Sequence, residues 1–241
     1  DIQEIFSISG TVEAANKTAV TSKISGRVAQ VAVELGDYVT KGQTLVILEK
    51  TDLINQLNQA KTSLLQAETN FAQVKTTFNR IQKLFAEELV SQHEYDNAKT
   101  QYDIALNQIE QARINVAISE EQLRNGEIKA PISGYVGERK INVGEMATPG
   151  VPLMDLVDIS QVYVTVHLSD SYITQTKVGQ KVTVRLPSMP DKTFTGKVFQ
   201  ISPAAQSDSK LFPVKILIDN SSRTFKDGML AEVKMNFNER K

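Results

Sequence analysis

Residues 25–48 read SGRVAQVAVELGDYVTKGQTLVIL, and residues 133–156 read SGYVGERKINVGEMATPGVPLMDL. Both stretches place Ser-Gly-x-Val, a Gly-acid pair, Thr-x-Gly and Leu-x-x-Leu at the same spacing. Alternating apolar residues that run into glycines are typical of a strand, a tight turn and a second strand. Because neither stretch can bury its apolar face alone, we predict that they form the two halves of one small sandwich, built from residues 16–51 and 127–157.

The segment between the two repeats has a strict heptad pattern. In residues 53–85 and 95–123, apolar positions are spaced alternately by four and by three, and neither run contains glycine or proline. Such a narrow seam is typical of a coiled coil. The pattern breaks at residues 87–91, which predicts a long antiparallel helical hairpin over residues 52–126, roughly 50 Å in length at 1.5 Å per residue. The predicted layers pair Phe85 with Tyr95, Phe78 with Tyr102, Phe71 with Ile109, and Leu64 with Val116.

From residue 158 onward the apolar period changes to two. Alternating runs at 162–168, 182–186, 193–201, 214–218 and 233–237, the last of which ends at Phe237, predict five strands, and the stretch from Phe6 to Val12 predicts a sixth. Ser169–Lys177 is predicted to be one short helix that Ser169 caps. Because closure removes exposed strand edges, we expect a six-stranded β-barrel built from residues 1–15 and 158–241.

Composition restricts the functional classes that fit. The net charge of −1 gives no general attraction to nucleic acid, so no nucleic-acid partner is expected. No cysteine is present, which removes disulfides and thiol chemistry. No apolar run is long enough to span a bilayer. The chain starts at Asp1, and we therefore expect that an export signal or membrane anchor lies outside it.

The split sandwich resembles the biotinyl/lipoyl carrier domain. Such a domain carries its acceptor lysine at the turn between its halves, typically in a Glu-Thr-Asp-Lys context. The corresponding stretch here is Glu49-Lys50-Thr51-Asp52-Leu53, in which leucine occupies the lysine position. A carrier domain with a cofactor on Lys50 therefore stays open as an alternative, although no bound cofactor is expected.

Neither enzymatic chemistry nor a metal site is indicated by any motif. His93 and His167 are the two histidines, and neither has a nucleophile or metal ligand at motif spacing. No phosphate-binding glycine loop, zinc signature or nucleophile elbow occurs. The methionines are scattered, which disfavours a methionine site for a metal cargo. The interpretation is therefore a non-enzymatic protein.

The combination of split lipoyl-like sandwich, inserted hairpin and following barrel resembles the periplasmic adaptors of tripartite efflux pumps, which are also called membrane fusion proteins. The resemblance is most specific at the predicted hairpin turn. Adaptors that dock TolC-type outer-membrane channels carry an Arg, a Leu four positions later and a Ser seven positions after that. Arg80, Leu84 and Ser91 have this spacing. Each also has a plain structural interpretation, as a solvated arginine, a hairpin-core leucine and a helix cap.

The resemblance implies a periplasmic adaptor between an inner-membrane transporter of the RND type and a TolC-like outer-membrane channel. It implies export of drugs or other small molecules, with Arg80, Leu84 and Ser91 as the channel-binding residues. It further implies self-association into a ring, commonly a hexamer. As an alternative to an RND-type transporter, the partner is an ABC-type exporter or part of a type I secretion system. The family usually carries a further membrane-proximal domain, which we expect to be absent or truncated here.

Overall fold

The structure is a computed structural model that describes residues 3–238. Residues 1–2 and 239–241, at the ends of the predicted barrel segments, lie outside this description, as do the side chains of residues 3–5, of Phe237 and of Asn238. The described elements are β1 (Gln3–Thr21), β2 (Gly26–Val31), β3 (Tyr38–Val39), β4 (Thr44–Leu48), α1 (Thr51–Ala86), α2 (Gln92–Asn125), β5 (Glu127–Lys129), β6 (Gly134–Arg139), β7 (Met146–Ala147), β8 (Pro152–Leu168), α3 (Asp170–Ile173), β9 (Lys181–Arg185), β10 (Thr193–Ile201), β11 (Phe212–Asp219) and β12 (Leu230–Asn238). The molecule is therefore mainly β with one helical pair.

The two long helices form an antiparallel hairpin, as the heptad pattern predicts. Near the turn the rings of Phe85 and Tyr95 are stacked with centroids 4.6 Å apart, and those of Phe78 and Tyr102 lie 5.0 Å apart. Both pairs are predicted layers. Aromatic side chains from facing helices therefore hold the outer half of the hairpin together. In the inner half, smaller seam residues such as Ile109 are buried.

The two repeats fold as a sandwich whose halves clasp each other. Gly36 and Gly144 both have φ +88, the left-handed conformation that the repeated Gly-acid turn requires. Gly36 N donates to Val136 O, and Gly144 N donates to Val28 O, at 2.8 Å in each case. Each half thus supplies a turn that hydrogen-bonds to a strand of the other. This reciprocity confirms a shared sandwich, which encloses a core that includes Val28, Val39, Leu45, Leu48, Val136, Leu153 and Leu156.

The barrel has the six strands that the period-two pattern predicts. Its strand order is β1, β12, β9, β10, β11 and β8, and the pairing of β1 with β8 closes it. Inward-facing side chains alternate along each strand and form a second core, which includes Val12, Val162, Val164, Val166, Val184, Val214 and Val233. The barrel and the sandwich therefore have separate hydrophobic cores.

Two strands run through both the barrel and the sandwich. β1 pairs antiparallel with β8 from Thr11 to Thr21, and the register shifts between Ala14 and Asn16. The predicted domain boundaries, 15/16 and 157/158, fall beside this bulge and stay predictions. A bulge locally bends a strand pair, so this is the point at which the barrel and the sandwich can change direction relative to each other.

The short helix is smaller than predicted. It covers Asp170–Ile173 rather than Ser169–Lys177, and although Ser169 is the residue before it, the Ser169 side chain forms no cap hydrogen bond. Gln175 N donates to Tyr172 O and Thr176 N donates to Ile173 O, so the chain continues with tighter i to i+3 bonds. The β-branched residues that follow have low helix propensity, which explains the early end.

Candidate docking site at the tip of the hairpin

The first helix ends in a Schellman motif without a glycine. Leu89 N donates to Leu84 O at 2.9 Å, and Glu88 N donates to Phe85 O at 3.0 Å. Glu88 adopts the left-handed conformation with φ +61, which glycine usually supplies at this position. The turn therefore holds a glutamate in a conformation that is costly for a residue with a side chain, and the absence of glycine kept this motif from being recognised in the sequence.

The second helix begins with a capping box. Ser91 Oγ accepts a hydrogen bond from Glu94 N at 3.3 Å, while Ser91 N donates to Glu94 Oε2 at 3.0 Å. Ser91 Oγ also donates to Glu94 Oε2 at 3.0 Å. These hydrogen bonds from the Ser91 backbone and hydroxyl hold the pKa of the Glu94 carboxyl below its usual value. The cap fixes the start of α2.

Of the three residues predicted to dock the channel, two lie together. Arg80 and Leu84 are one turn apart on α1 and line a shallow groove of about 440 Å³ together with Lys83 and Glu87. Arg80 is exposed and Leu84 is half-buried. Ser91 is not among the residues of this groove, since it lies beyond the turn and makes the capping box. The plain interpretation of Ser91 as a cap is therefore confirmed, and its role in docking stays a prediction.

The structure also draws attention to a residue that the sequence reasoning left without a role. Leu89 lies in the turn itself, and it is 65% exposed. In a Schellman motif the residue at this position usually packs against the preceding turn of the helix, but here most of its surface is free. In the sequence, the sign of an exposed apolar residue here was a leucine placed where the heptad pattern stops. The tip therefore presents the apolar surface of Leu84 and Leu89 beside the cationic side chain of Arg80.

The base of the hairpin does not match a cofactor acceptor site. Lys50 precedes α1, and its ammonium group pairs with the carboxylate of Glu127, which begins β5. That hydrogen bond to Lys50 lowers the pKa of the Glu127 carboxyl. Leu53 replaces the acceptor lysine, and a Cβ placed on Gly126 would lie 3.1 Å from its Cδ1, so Leu53 packs across the base. These residues close the hairpin and do not fit a biotinyl or lipoyl group.

No grouping of ligands for a metal is found among residues 6–236, whose side chains the structure describes. His93 Nε2 lies 3.1 Å from Asn97 Nδ2 one turn along the second helix. Among the residues that the structure describes, neither long helix contains an apolar stretch that could span a bilayer, and α3 is far too short. The observed arrangement is an arm that leaves the sandwich at its base and ends in a turn closed by a Schellman motif and a capping box.

A split barrel-sandwich domain that carries a helical hairpin and continues into a six-stranded barrel defines the class of membrane fusion proteins. Residues 16–158 match the family model described as CzcB-like, barrel-sandwich hybrid domain, and residues 161–239 match the CusB-like, beta-barrel domain. The chain belongs to this CzcB-like family of membrane fusion proteins. The expected family is thus confirmed.

Individual relatives and a solved structure agree with this assignment. The multidrug resistance protein MdtA of Proteus mirabilis is 31% identical over 78% of this chain and 46% of its own length. The macrolide export protein MacA of Yersinia pestis is 25% identical over 97% of this chain and 68% of its own length. The crystal structure of MacA from Actinobacillus actinomycetemcomitans superposes with a TM-score of 0.85 at 25% identity, covering 98% of this chain and 79% of that one. The chain spans about half the length of relatives such as MdtA.

Proposed function

We propose that this chain is the periplasmic adaptor of a tripartite efflux pump. It bridges an inner-membrane transporter of the RND type to a TolC-like outer-membrane channel, for the export of drugs or other small molecules. The observation that carries the proposal is a hairpin that joins the sandwich at its base and whose other end presents the exposed Leu89 and a groove lined by Arg80. The names of the relatives, multidrug resistance protein MdtA and macrolide export protein MacA, support an export function.

In this proposal the hairpin is a coiled-coil arm that spans the distance between the two partners. Helices of 36 and 34 residues support it, because at 1.5 Å per residue they reach roughly 50 Å. The aromatic layers nearest the turn stiffen the end that has to meet the channel. A stiff arm loses little conformational freedom on docking, which favours binding.

Arg80, Leu84 and Ser91 contribute differently to the docking surface. Arg80 presents a planar guanidinium whose five N–H donors suit carbonyl or carboxylate groups at the ends of partner helices. Leu84 and Leu89 supply apolar surface beside it. Ser91 shapes the turn through its cap, and its hydroxyl oxygen keeps one lone pair free to accept a hydrogen bond from the partner.

In this proposal the adaptor acts as a ring of copies, such as a hexamer. Several apolar side chains lie on the outer faces of the hairpin, away from the seam, and are half or more exposed: Leu65, Ile114 and Ile118. Neighbouring hairpins that pack side by side would cover them. A ring also places several tips on one channel, so that individually weak contacts add through multivalency.

Substitution at the tip tests this function in cells that depend on the pump. We expect Arg80→Asp to reduce resistance to the level of a deletion strain, because a carboxylate replaces the docking cation. Arg113→Asp is the matched control, since Arg113 is also a surface arginine of the hairpin but is paired within its own helix to Glu110. Unchanged resistance in Arg80→Asp, with normal protein levels, would contradict tip docking.

Photocrosslinking identifies the partner directly. A photoreactive residue in place of Leu89, the most exposed apolar side chain of the tip, is expected to trap an outer-membrane channel, and one in place of Leu65 a second copy of this chain. Trapping of a carrier-dependent enzyme, or an intact mass that shows a cofactor adduct on Lys50, would overturn the adaptor function in favour of the carrier alternative.

A further inference from the structure

The loop between β11 and β12, residues 220–229, is held in place by contacts with the barrel. Asn220 is fully buried, its Nδ2 donates to Ile159 O and Phe225 O at 2.8 Å each, and its Oδ1 accepts from Phe225 N at 3.0 Å. Phe225 is also fully buried and lies edge-on to Phe194, with centroids 4.7 Å apart. The loop is thus fastened to the barrel core at both of these residues.

At its outer end this loop reaches the sandwich through Arg223. The guanidinium of Arg223 lies over the rings of Tyr38 and Tyr135, at 5.1 and 5.4 Å from their centroids, and donates a hydrogen bond to Tyr135 Oη. The two tyrosines belong to β3 and β6, which pair with each other in the sandwich. Arg223 has φ +55, a conformation that is costly for arginine. The loop holds it there with Asn220, since Arg223 N donates to Asn220 O at 2.7 Å.

A second contact of the same loop lies beside the bulge in β1. Asp227 Oδ1 accepts from Ala14 N at 3.0 Å, and Asp227 Oδ2 pairs with Lys17 Nζ at 3.3 Å. Ala14 and Lys17 flank the register shift, so Asp227 holds β1 on both sides of its bend. The loop therefore contacts the sandwich at two places.

Between these two places the barrel and the sandwich do not pack tightly. A cleft of about 680 Å³ opens there, and its lining includes Lys17, Tyr135, Arg223 and Asp227. The two hydrophobic cores are separate. The angle between barrel and sandwich therefore depends on two bent strands and on the few contacts of this loop, rather than on a shared apolar interface.

We propose that Arg223, Tyr38 and Tyr135 form a clasp that sets the angle between the barrel and the sandwich with its hairpin. The two tyrosine rings meet edge-to-face, with centroids 5.1 Å apart, and the guanidinium lies within about 6 Å of both centroids, so it gains cation–π attraction to each ring. Its planar fork adds the directed hydrogen bond to Tyr135 Oη. Arg223 is thus a positioning residue: it acts on the direction of the arm and not on a partner. The role of the clasp in transport rests on the proposed function, whereas its effect on the angle does not.

Distance measurements between two spin labels test the clasp on this chain. Because the chain has no cysteine, Val143→Cys in the sandwich and Val178→Cys in the barrel, both well exposed, give two unique labelling sites. Arg223→Gly removes the side chain and relaxes the backbone, since glycine accepts φ +55. We expect the fraction of molecules outside the parent distance peak to rise about tenfold, which corresponds to about 1.4 kcal/mol for the combined contacts.

Three further variants make the result decisive. Arg223→Lys keeps the cation and is expected to restore part of the narrow peak. Arg185→Ala is the control: it removes an arginine of β9 that pairs with Glu232 of β12, both within the barrel domain, and is expected to leave the distances unchanged. If Arg223→Gly does not fold, Tyr38→Leu combined with Tyr135→Leu removes the same contacts from the other side.

The clasp is overturned if the folded Arg223→Gly variant, or the variant with both tyrosines replaced, gives the same distance distribution as the parent. A broadened distribution in cells or membranes whose drug resistance is unchanged would overturn only its link to transport. Unchanged resistance in Arg80→Asp would contradict tip docking and leave the clasp untouched, so the two proposals fail separately.

Discussion

The two halves of the sandwich are built alike but continue differently. In the first half, Val28, Gly36 and Leu48 occupy the places that Val136, Gly144 and Leu156 occupy in the second, and the cross-half hydrogen bonds are equivalent. After Leu48 the chain turns into a 36-residue helix. After Leu156 it continues as the same strand to Leu168 and enters the barrel.

The difference lies in the residues that follow the repeat. Behind Leu48 come Lys50, Thr51 and Asp52 and then a heptad seam, whereas behind Leu156 the apolar period stays at two. One sandwich can therefore carry a helical arm on one side and a barrel on the other, because its two halves are alike only as far as Leu48 and Leu156. The equivalence of the halves and the difference of their continuations can both be tested.

The largest effect is expected from the core. Leu48→Ala and Leu156→Ala each remove a side chain that is at most 1% exposed, and each should lower the free energy of unfolding by about 2–5 kcal/mol. Chemical denaturation of both variants measures this. If the halves share one core, the two losses are similar. A loss below about 1 kcal/mol for one variant alone would show that only the other half supports the sandwich.

A smaller effect on stability, again similar for the two halves, is expected at the glycine turns. Gly36 and Gly144 have the same φ of +88, and a Cβ at either would meet no atom within 4 Å. Alanine there is penalised by backbone conformation alone, so we expect Gly36→Ala and Gly144→Ala each to lower the free energy of unfolding by about 1–2 kcal/mol. Thermal unfolding provides the measurement. The asparagine variants should lose less, because asparagine tolerates this conformation.

The smallest effect concerns only the half that carries the arm. The hydrogen bond from Lys50 lowers the pKa of Glu127, so the stability that this pair contributes is fully present above the usual Glu value of 4.5. It is lost as the pH falls through the lowered native pKa. We expect Lys50→Met to weaken the hairpin base by about 0.2–1 kcal/mol at neutral pH, the range of partly exposed ion pairs.

Denaturation curves measured from pH 7 downward check the sign. The parent should lose the contribution of the pair across the acidic range, and Lys50→Met should show a flatter profile there. Lys140→Met is a control in the other half: the pairing with Glu138 and Asp155 raises the pKa of Lys140, so its contribution is present below the usual Lys value of 10.5 and is lost as the pH rises through the raised native pKa. Parallel profiles of Lys50→Met and the parent would contradict the assigned role of the base pair.

Much of this architecture could be predicted because it depends on periodicity. The matched glycines indicated the sandwich, the heptads indicated the hairpin with Phe85 opposite Tyr95, and the period of two indicated the six strands. These signals are repeated along the chain and need no knowledge of distant contacts.

The features that escaped prediction depend on single residues in unusual settings. Glu88 takes a conformation that sequence rules reserve for glycine, and Leu89 is exposed only because the turn points it outward. Arg223 meets Tyr38 and Tyr135 across a large separation in sequence, which no local pattern encodes. The helix after Ser169 was predicted too long, because its cap signal was read without the β-branched residues that shorten it.

The base of the hairpin has one further consequence. Leu48 N donates to Gly126 O at 2.9 Å, so the chain leaves the sandwich and returns to it at neighbouring positions. A segment with adjacent ends can gain or lose whole heptads without moving the two points at which it joins. The reach of the arm can therefore change during evolution, or be adjusted by design, while the sandwich and the barrel stay as they are.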